Sequence, residues 1–473
     1  MYRLCPTLGK VMQTVQAKRA PKKLRGYLTT NEAAKLIGVS PKTLRRWDNA
    51  GKLKAVRHPI NRYRLYKESE LIKQFSLGEP DGIYKVYTVQ HTEAPVRDFA
   101  SINPTTSLQS LNLNWREADL PERERTKHVH RLHPYLGKFI PQLVEVFLRK
   151  FSPPSVCDPF SGSGTTLVEA NTLGIDSVGC DISEFNCLIA KVKTDRYDLP
   201  LLEKELKDII SKVNLTIGEG LFSNGEEFET DNEYLRRWFA PGARRGLLAY
   251  RAFLKDYRYH DIMKVILCRS ARSARLTTHF DLDFPKTPQR GSYYCYKHDR
   301  TCQPIQSSLQ FLNRYTFDTL DRIKEFSRLR TTAKVKLICD DARTVKFPHI
   351  DAVMTSPPYV GLIDYHEQHR YAYELLGLPM QAQSEIGAAF KGNSEKARKD
   401  YIDGIAQVFA NLRRYLKKDG VVVVVVNDKH SLYETLPQKV DYTFDQTITR
   451  HVNRRTGRRS TDFFEEIRIW RSA

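Results

Sequence analysis

The run TSPPY, Thr355 to Tyr359, follows the apolar stretch DAVM and sets hydroxyls, two prolines and an aromatic ring in consecutive positions. Pro357 and Pro358 hold φ near −65°, remove two backbone donors and push Ser356 out of the helical region. The segment thus presents hydroxyl and carbonyl acceptors in one preset shape beside a ring able to stack. Prolines also end ordinary strands, so the reading depends on the company these residues keep. In DPFSGSGTT a strand ends at Asp158, and Gly162 and Gly164 let the backbone turn tightly toward a ligand before a helix begins near Thr165. That helix N-terminus favours an electronegative or carboxylate group. Asp181, after the next apolar run, stands at a distance suited to ribose hydroxyls, and Asp341 in CDDARTV can accept from the exocyclic amine of an adenine ring. The loop is not shaped for phosphate: it lacks GK[ST], and Leu167 stands where a dinucleotide fingerprint needs its third glycine.

Positioning these groups requires a sheet. SVCDPFSGSGTTLVEANTLGIDSVGCDIS alternates strand, glycine turn, helix and strand. After a helix-rich polar block the alternation resumes through VKLICDDARTV, DAVMTSPPY, a helix near Ala372 to Leu376, GVVVVVVND and FEEIRIW. This predicts a doubly wound α/β domain with the acids and TSPPY at the carboxyl ends of its strands, the crevice where such sheets bind ligands. The predicted boundaries are a basic segment at 1–26, a small helical domain at 27–75, a linker at 76–127, the first part of the α/β domain at 128–195, an insertion at 196–333 and the second part at 334–473.

The 473 residues carry a net charge of +21, an excess that attracts polyanions. Residues 1–80 hold 18 Lys or Arg against 5 Asp or Glu, and RHVNRRTGRR, from Arg450 to Arg459, forms a second basic cluster. Thr29 and Glu32 can form a capping box for a helix ending at Gly38; Ser40 then caps a second helix with Pro41 in its first turn, Leu44 and Trp47 inward and Gly51 past its end. Lys42, Thr43, Arg45 and Arg46 are left on the outer face, as in a helix offered to a major groove, and KAVRHPINRYRLY, with Arg62 and Arg64, reads as a wing hairpin. Residues 27–75 resemble the winged helix-turn-helix of the MerR and excisionase type.

From about His128 onward the chain resembles the amino-directed DNA methyltransferases that use S-adenosylmethionine, the N4-cytosine and N6-adenine group. HPYLGKFIPQLV is similar to their motif X, DPFSGSGTTLVEA to motif I, CDIS to motif II, DDAR to motif III and TSPPY to motif IV. The resemblance implies a Rossmann-like methyltransferase sheet, mostly parallel with an antiparallel last strand, and S-adenosylmethionine over the glycine turn. Asp158, Phe160, Gly162 and Gly164 would line its methionine side, with Thr165 in the same cofactor set; Asp181 would take the ribose, Asp341 the adenine, and Lys138 and Phe139 would also touch it. Catalysis would fall to Ser356, Pro357, Pro358 and Tyr359. Ser356 Oγ and a carbonyl held by the proline pair would bond the amine hydrogens out of the base plane, so that the nitrogen pyramidalises and its lone pair turns to the sulfonium methyl. Tyr359 would stack on a base swung out of the duplex.

Serine at the head of the tetrapeptide looks like the cytosine-N4 branch. Adenine N6 is the alternative, and a non-catalytic DNA-binding regulator or an RNA or protein amide methyltransferase are readings from other classes. The implied partners are duplex DNA and a cognate restriction endonuclease. The insertion lies between the motif II and motif III likenesses, which departs from the usual layouts, and its YLRRWFAPGARR, CRSARSAR and YYCYKH suit a nucleic-acid face, hence a target-recognition region. Within it Cys295, His298 and Cys302 have the spacing of a metal half-site, with Cys268 as a candidate fourth ligand; a full C-x2-C pair is missing, and no metal is expected. Eight dispersed cysteines make no disulfide framework and point to a reducing compartment, and no apolar run approaches the roughly 20 residues of a membrane span, so a cytoplasmic, nucleoid-associated protein is expected.

Overall fold

A computed structural model of the chain describes residues 26–36, 41–58, 63–67, 70–71, 94–137, 139–218, 228–452 and 463–473. Two compact units divide it, residues 1–84 and residues 85–473. The first is built as its caps dictate. The Thr29 amide donates to Glu32 Oε2 at 3.0 Å and the Glu32 amide to Thr29 Oγ1 at 3.4 Å, the reciprocal capping box, and α1 runs Thr30–Leu36. Helix α2, Pro41–Asn49, buries Leu44 against Ala33, Ala34 and Tyr66. Strands β1 (Tyr27–Thr29), β3 (Arg64–Lys67) and β2 (Val56–Arg57) form an antiparallel sheet in that order. Gly38, Ser40, Arg62 and the side chain of Lys42 lie outside the described residues.

In the second unit seven strands stand in the order β11 (Tyr442–Val452), β12 (Phe463–Ser472), β10 (Leu416–Val426), β9 (Ile350–Thr355), β4 (Ser155–Asp158), β5 (Asp176–Asp181), β8 (Val335–Cys339). Strand β12 alone runs against the other six, pairing antiparallel with both β10 and β11. FEEIRIW is thus the reversed last strand. Strand β10 shows why six valines run together. It is central and covered on both faces, so the pleat sends Val421, Val423 and Val425 into the core beneath α3 (Pro141–Phe151), and Val422, Val424 and Val426 into the opposite core beneath α12 (Glu395–Arg413).

One segment departs from expectation. Residues 94–127 are not a linker: Ile102, Leu111, Leu113 and Trp115 are buried in the α3 core. Their apolar positions have no regular period because the segment is irregular, with no strand and only a single short helix and one 3-10 turn, so the sequence pattern gives no sign of burial. The insertion is helical as expected, with α6 (Leu199–Gly218), α7 (Glu233–Trp238), α8 (Pro241–Phe253), α9 (His260–Ala274) and α10 (Leu309–Ser327). It has no core of its own. Its apolar faces share one cluster with Phe185 and Ile189 of α5 (Glu184–Thr194) and with Tyr371 and Tyr373 of α11 (Arg370–Leu376). Among the described residues no helix is long and apolar enough to cross a membrane.

Candidate active site

A cavity opens at the carboxyl ends of β4, β5, β8 and β9. The turn before α4 (Thr165–Thr172) lines it with Phe160, Gly162 and Thr165, joined by Phe139, Asp181, Asp341, Ser356 and Pro358. The glycines are required there. Gly162 has φ +47° and Gly164 φ +79°; a Cβ on Gly162 would stand 2.8 Å from the Tyr135 hydroxyl, and one on Gly164 2.9 Å from Ala190 Cβ. Asp181 supports the turn: its carboxylate accepts from the Gly162 amide at 2.9 Å, and from the Ser183 amide and the Asn186 side chain. Burial pushes the Asp181 carboxyl above its usual value despite these bonds. Asp341 behaves oppositely: burial raises it, but bonds from Arg343 hold it below the ordinary carboxylate value.

Not every expected residue reaches the cavity. Asp158 is fully buried and does not line it. Its carboxylate accepts from Thr355 Oγ1 at 2.7 Å, Thr166 Oγ1 at 2.7 Å and the Phe160 amide at 3.2 Å, so it ties the end of β9 to α4 and the glycine turn. Burial lifts its carboxyl to about 6 against those bonds. Gly164 packs on α5 instead of facing the cavity, and Lys138 lies outside the described residues. Sequence reasoning missed Tyr135 and Glu385, which sit in irregular segments, and Tyr365, which opens the short helix Tyr365–Gln368. Tyr135 stacks on Tyr365 with ring centroids 5.5 Å apart, and both line the cavity with Glu385. Buried Lys193 was also missed; its ammonium donates to the Ser163 carbonyl at 2.7 Å and fixes the glycine turn from below.

The lining suits S-adenosylmethionine. Ser161 Oγ, Ser163 Oγ, Asn186 Oδ1 and Glu385 Oε2 are buried without a hydrogen-bond partner, and all four residues line the cavity. Buried polar atoms of this kind await a ligand with hydroxyl and amine groups. Asp181, Asp340, Asp341 and Glu385 add carboxylates, and no described lining residue is Lys or Arg, a balance that favours a cationic ligand over a phosphate. Asp181 and the glycine turn would hold one part of it and Asp340–Ala342 another.

In the SPPY segment, Ser356 Oγ donates to the Val425 carbonyl at 2.9 Å. Pro357 is buried, Pro358 lines the cavity, and the Tyr359 hydroxyl donates to Glu465 Oε1 at 3.2 Å. Glu465 in turn accepts from Arg450 at 2.8 Å, so Arg450, first of the C-terminal basic cluster, is buried in a structural ion pair; residues 453–459 of that cluster lie outside the described residues.

On the helix-turn-helix unit Arg45 and Arg46 are exposed and Thr43 is half-buried, whereas Arg64 is committed to Asp48 and, at 2.9 Å, to Asn49, bracing the hairpin against α2. The basic run CRSARSAR is no open face either. Arg269 and Arg275 are buried, and Arg269 and Arg272 pair with Asp318 and Asp283. Cys268 lies in the helical core among apolar neighbours, away from Cys295, His298 and Cys302; the side chain that joins those three is His279.

Comparison with known proteins agrees with this architecture. Residues 29–66 match the model of the MerR family of regulatory proteins. The type II methyltransferase M.MjaII of Methanocaldococcus jannaschii is 40% identical over 429 residues, covering 74% of this chain and 81% of its own. M.BsoBI of Geobacillus stearothermophilus is 25% identical over 320 residues (59% of this chain, 60% of its own), and M.MvaI of Kocuria varians 22% over 281 residues (54% and 59%). With its reversed-strand sheet, its cavity and a relative of this extent, the chain belongs to the type II DNA methyltransferases, which take their methyl group from S-adenosylmethionine.

Proposed function

We propose that this enzyme methylates the exocyclic N4 amine of cytosine in duplex DNA, on a base swung out of the helix. One observation carries the reading: Ser356 and Pro358 line the same cavity as Gly162 and Asp181, so the amine acceptors and the cofactor loop share one space. S-adenosylmethionine supplies an electrophilic methyl on a sulfonium when bound. The rest is the work of this chain's residues. A hydroxyl has one proton and two acceptor lone pairs, and Ser356 spends its proton on Val425; toward a substrate amine it therefore acts as acceptor. The carbonyl held by the proline pair is the second acceptor. Two acceptors out of the ring plane draw the amine hydrogens with them and free the nitrogen lone pair from conjugation. Tyr359, anchored through Glu465, offers its ring for stacking. Rate enhancement then rests on positioning and electrostatics.

Serine at the head of the tetrapeptide supports cytosine over adenine. Site choice is assigned to two elements. Thr43, Arg45 and Arg46 on α2 are assigned to a major groove. In the insertion, the hairpin of β6 (Tyr293–Cys295) and β7 (Arg300–Cys302) supports the target-recognition reading: Tyr294 and Tyr296 are exposed beside the exposed Lys297 and Arg300, a mixture suited to bases and phosphates. Membership in the type II group supports a nuclease of the same recognition sequence as the cellular partner. Base-resolved sequencing of DNA from a host expressing the chain tests the reading. N4-methylcytosine at a fixed sequence supports it, N6-methyladenine there would reassign the base, and unmodified DNA would overturn it.

A further inference from the structure

We propose that His279, Cys295, His298 and Cys302 form a structural zinc site that holds the β6–β7 hairpin. One ligand atom from each residue lies within 4.8 Å of the other three. Cys295 Sγ is 3.6 Å from His279 Nδ1 and 3.6 Å from His298 Nδ1, and Cys302 Sγ is 3.5 Å from His298 Nδ1. Zinc bonds of about 2.3 Å to sulfur and about 2.05 Å to nitrogen at tetrahedral angles place S and N about 3.6 Å apart, so all three separations fit one central ion.

Hydrogen bonds do not account for the convergence. An imidazole Nδ1 carries a single lone pair or a single proton, yet two sulfurs approach His298 Nδ1. Cys295 Sγ also stands by two imidazole nitrogens, His279 Nδ1 and His298 Nδ1, as a ligand of the same metal ion would. A divalent cation shared by two thiolates and two neutral imidazoles satisfies every atom and leaves the group with no net charge.

The surroundings point the same way. Cys295 and Cys302 are buried at 0% and 6% exposure, but neither belongs to a hydrophobic cluster of the described residues, so apolar packing does not explain their burial. Residues 275–308, between α9 and α10, contain only this hairpin of two three-residue strands as regular structure. A two-stranded hairpin is marginal in water and a loop of this length is uncommon without a staple. The exposed Tyr296, 81% accessible, stands on the turn between the two strands. The site also explains the incomplete motif: the turn supplies Cys-x2-His-x3-Cys, and the fourth ligand comes from His279 outside it, at a distance no spacing rule anticipates.

The test uses the full chain, purified without a histidine tag and freed of loose metal by dialysis. Elemental analysis should find close to one zinc per chain. Replacing the zinc with cobalt(II) should give visible bands of tetrahedral intensity and a thiolate-to-cobalt charge-transfer band worth two sulfurs. Cys295→Ser with Cys302→Ser should lower the zinc content about tenfold or more, whereas Cys268→Ser should leave it unchanged. Cys302→His keeps four ligands and should retain the metal with a one-thiolate spectrum, which separates loss of a ligand from loss of the fold. The proposal is overturned by metal-free protein, by zinc that survives the double substitution, by cobalt binding without a thiolate band, or by a mass showing Cys295 and Cys302 joined as a disulfide.

Discussion

Thr355→Val removes one of the three donors that hold the buried Asp158 carboxylate while keeping nearly the same volume. Thr355 Oγ1 donates at 2.7 Å, and Oδ1 of Asp158 would then keep only the Phe160 amide at 3.2 Å. A hydrogen bond to a buried charge contributes about 1.5–3 kcal/mol, so urea denaturation should show a stability loss of about 2 kcal/mol with an unchanged slope. Because Asp158 is a tether and not a cavity wall, affinity for S-adenosylmethionine by calorimetry should change less than about threefold. Single-turnover methyl transfer at saturating donor should slow, because Ser356 is the next residue along and its setting relative to the glycine turn runs through Asp158. The reasoning is refuted if donor affinity falls more than about tenfold while stability is unchanged, for Asp158 would then be touching the donor itself.

Ser356→Ala should lower kcat by about 100-fold with little change in DNA affinity, as loss of one preorganised polar group does elsewhere; undiminished turnover would remove the amine-polarising role. Gly162→Ala forces a methyl to 2.8 Å from the Tyr135 hydroxyl at φ +47°, and donor binding should weaken at least about tenfold; calorimetry with unchanged affinity would contradict the close approach. The Asp158 carboxyl rises from 3.8 unfolded to about 6 folded, so its contribution to stability is complete below pH 3.8 and is lost as pH rises through about 6. At about 1.4 kcal/mol per pH unit, the stability of wild type relative to Asp158→Asn should fall by about 3 kcal/mol across that window, and a difference that grows with pH would contradict burial as the cause. Arg45→Ala with Arg46→Ala should weaken binding and reduce the slope of log affinity against log salt by about 2; an unchanged slope would take both off the phosphates.

What could be read in the chain depended on whether a residue's role is local. Thr29 and Glu32, three positions apart, specify their capping box without help, and the glycine turn before Thr165 announces itself because only a strand, two glycines and a helix start build it. The six valines of β10 mark a strand buried on both faces. Roles set by distant partners were hidden. Asp158 looks like a cavity acid until Thr355 and Thr166 are seen to claim it, and Arg269, Arg275 and Arg450 look like a basic surface until their burial and partners are known. His279 gives no signal at all, since nothing in a lone histidine tells which loop will fold back onto it. Trp115 and its neighbours were read as a connector for a related reason: irregular segments bury side chains without any period.

The placement of β8 has an evolutionary consequence. The insertion departs after α5 and returns into β8, the outermost strand at its end of the sheet, so its entry and exit never thread through the interior strands. A cassette hung from a margin can be lengthened, shortened or traded between homologues while the central chemistry stays in register. The constraint on such a trade is the shared apolar seam: a foreign cassette must still cover Phe185, Ile189, Tyr371 and Tyr373, and one that leaves them wet exposes a patch that drives aggregation.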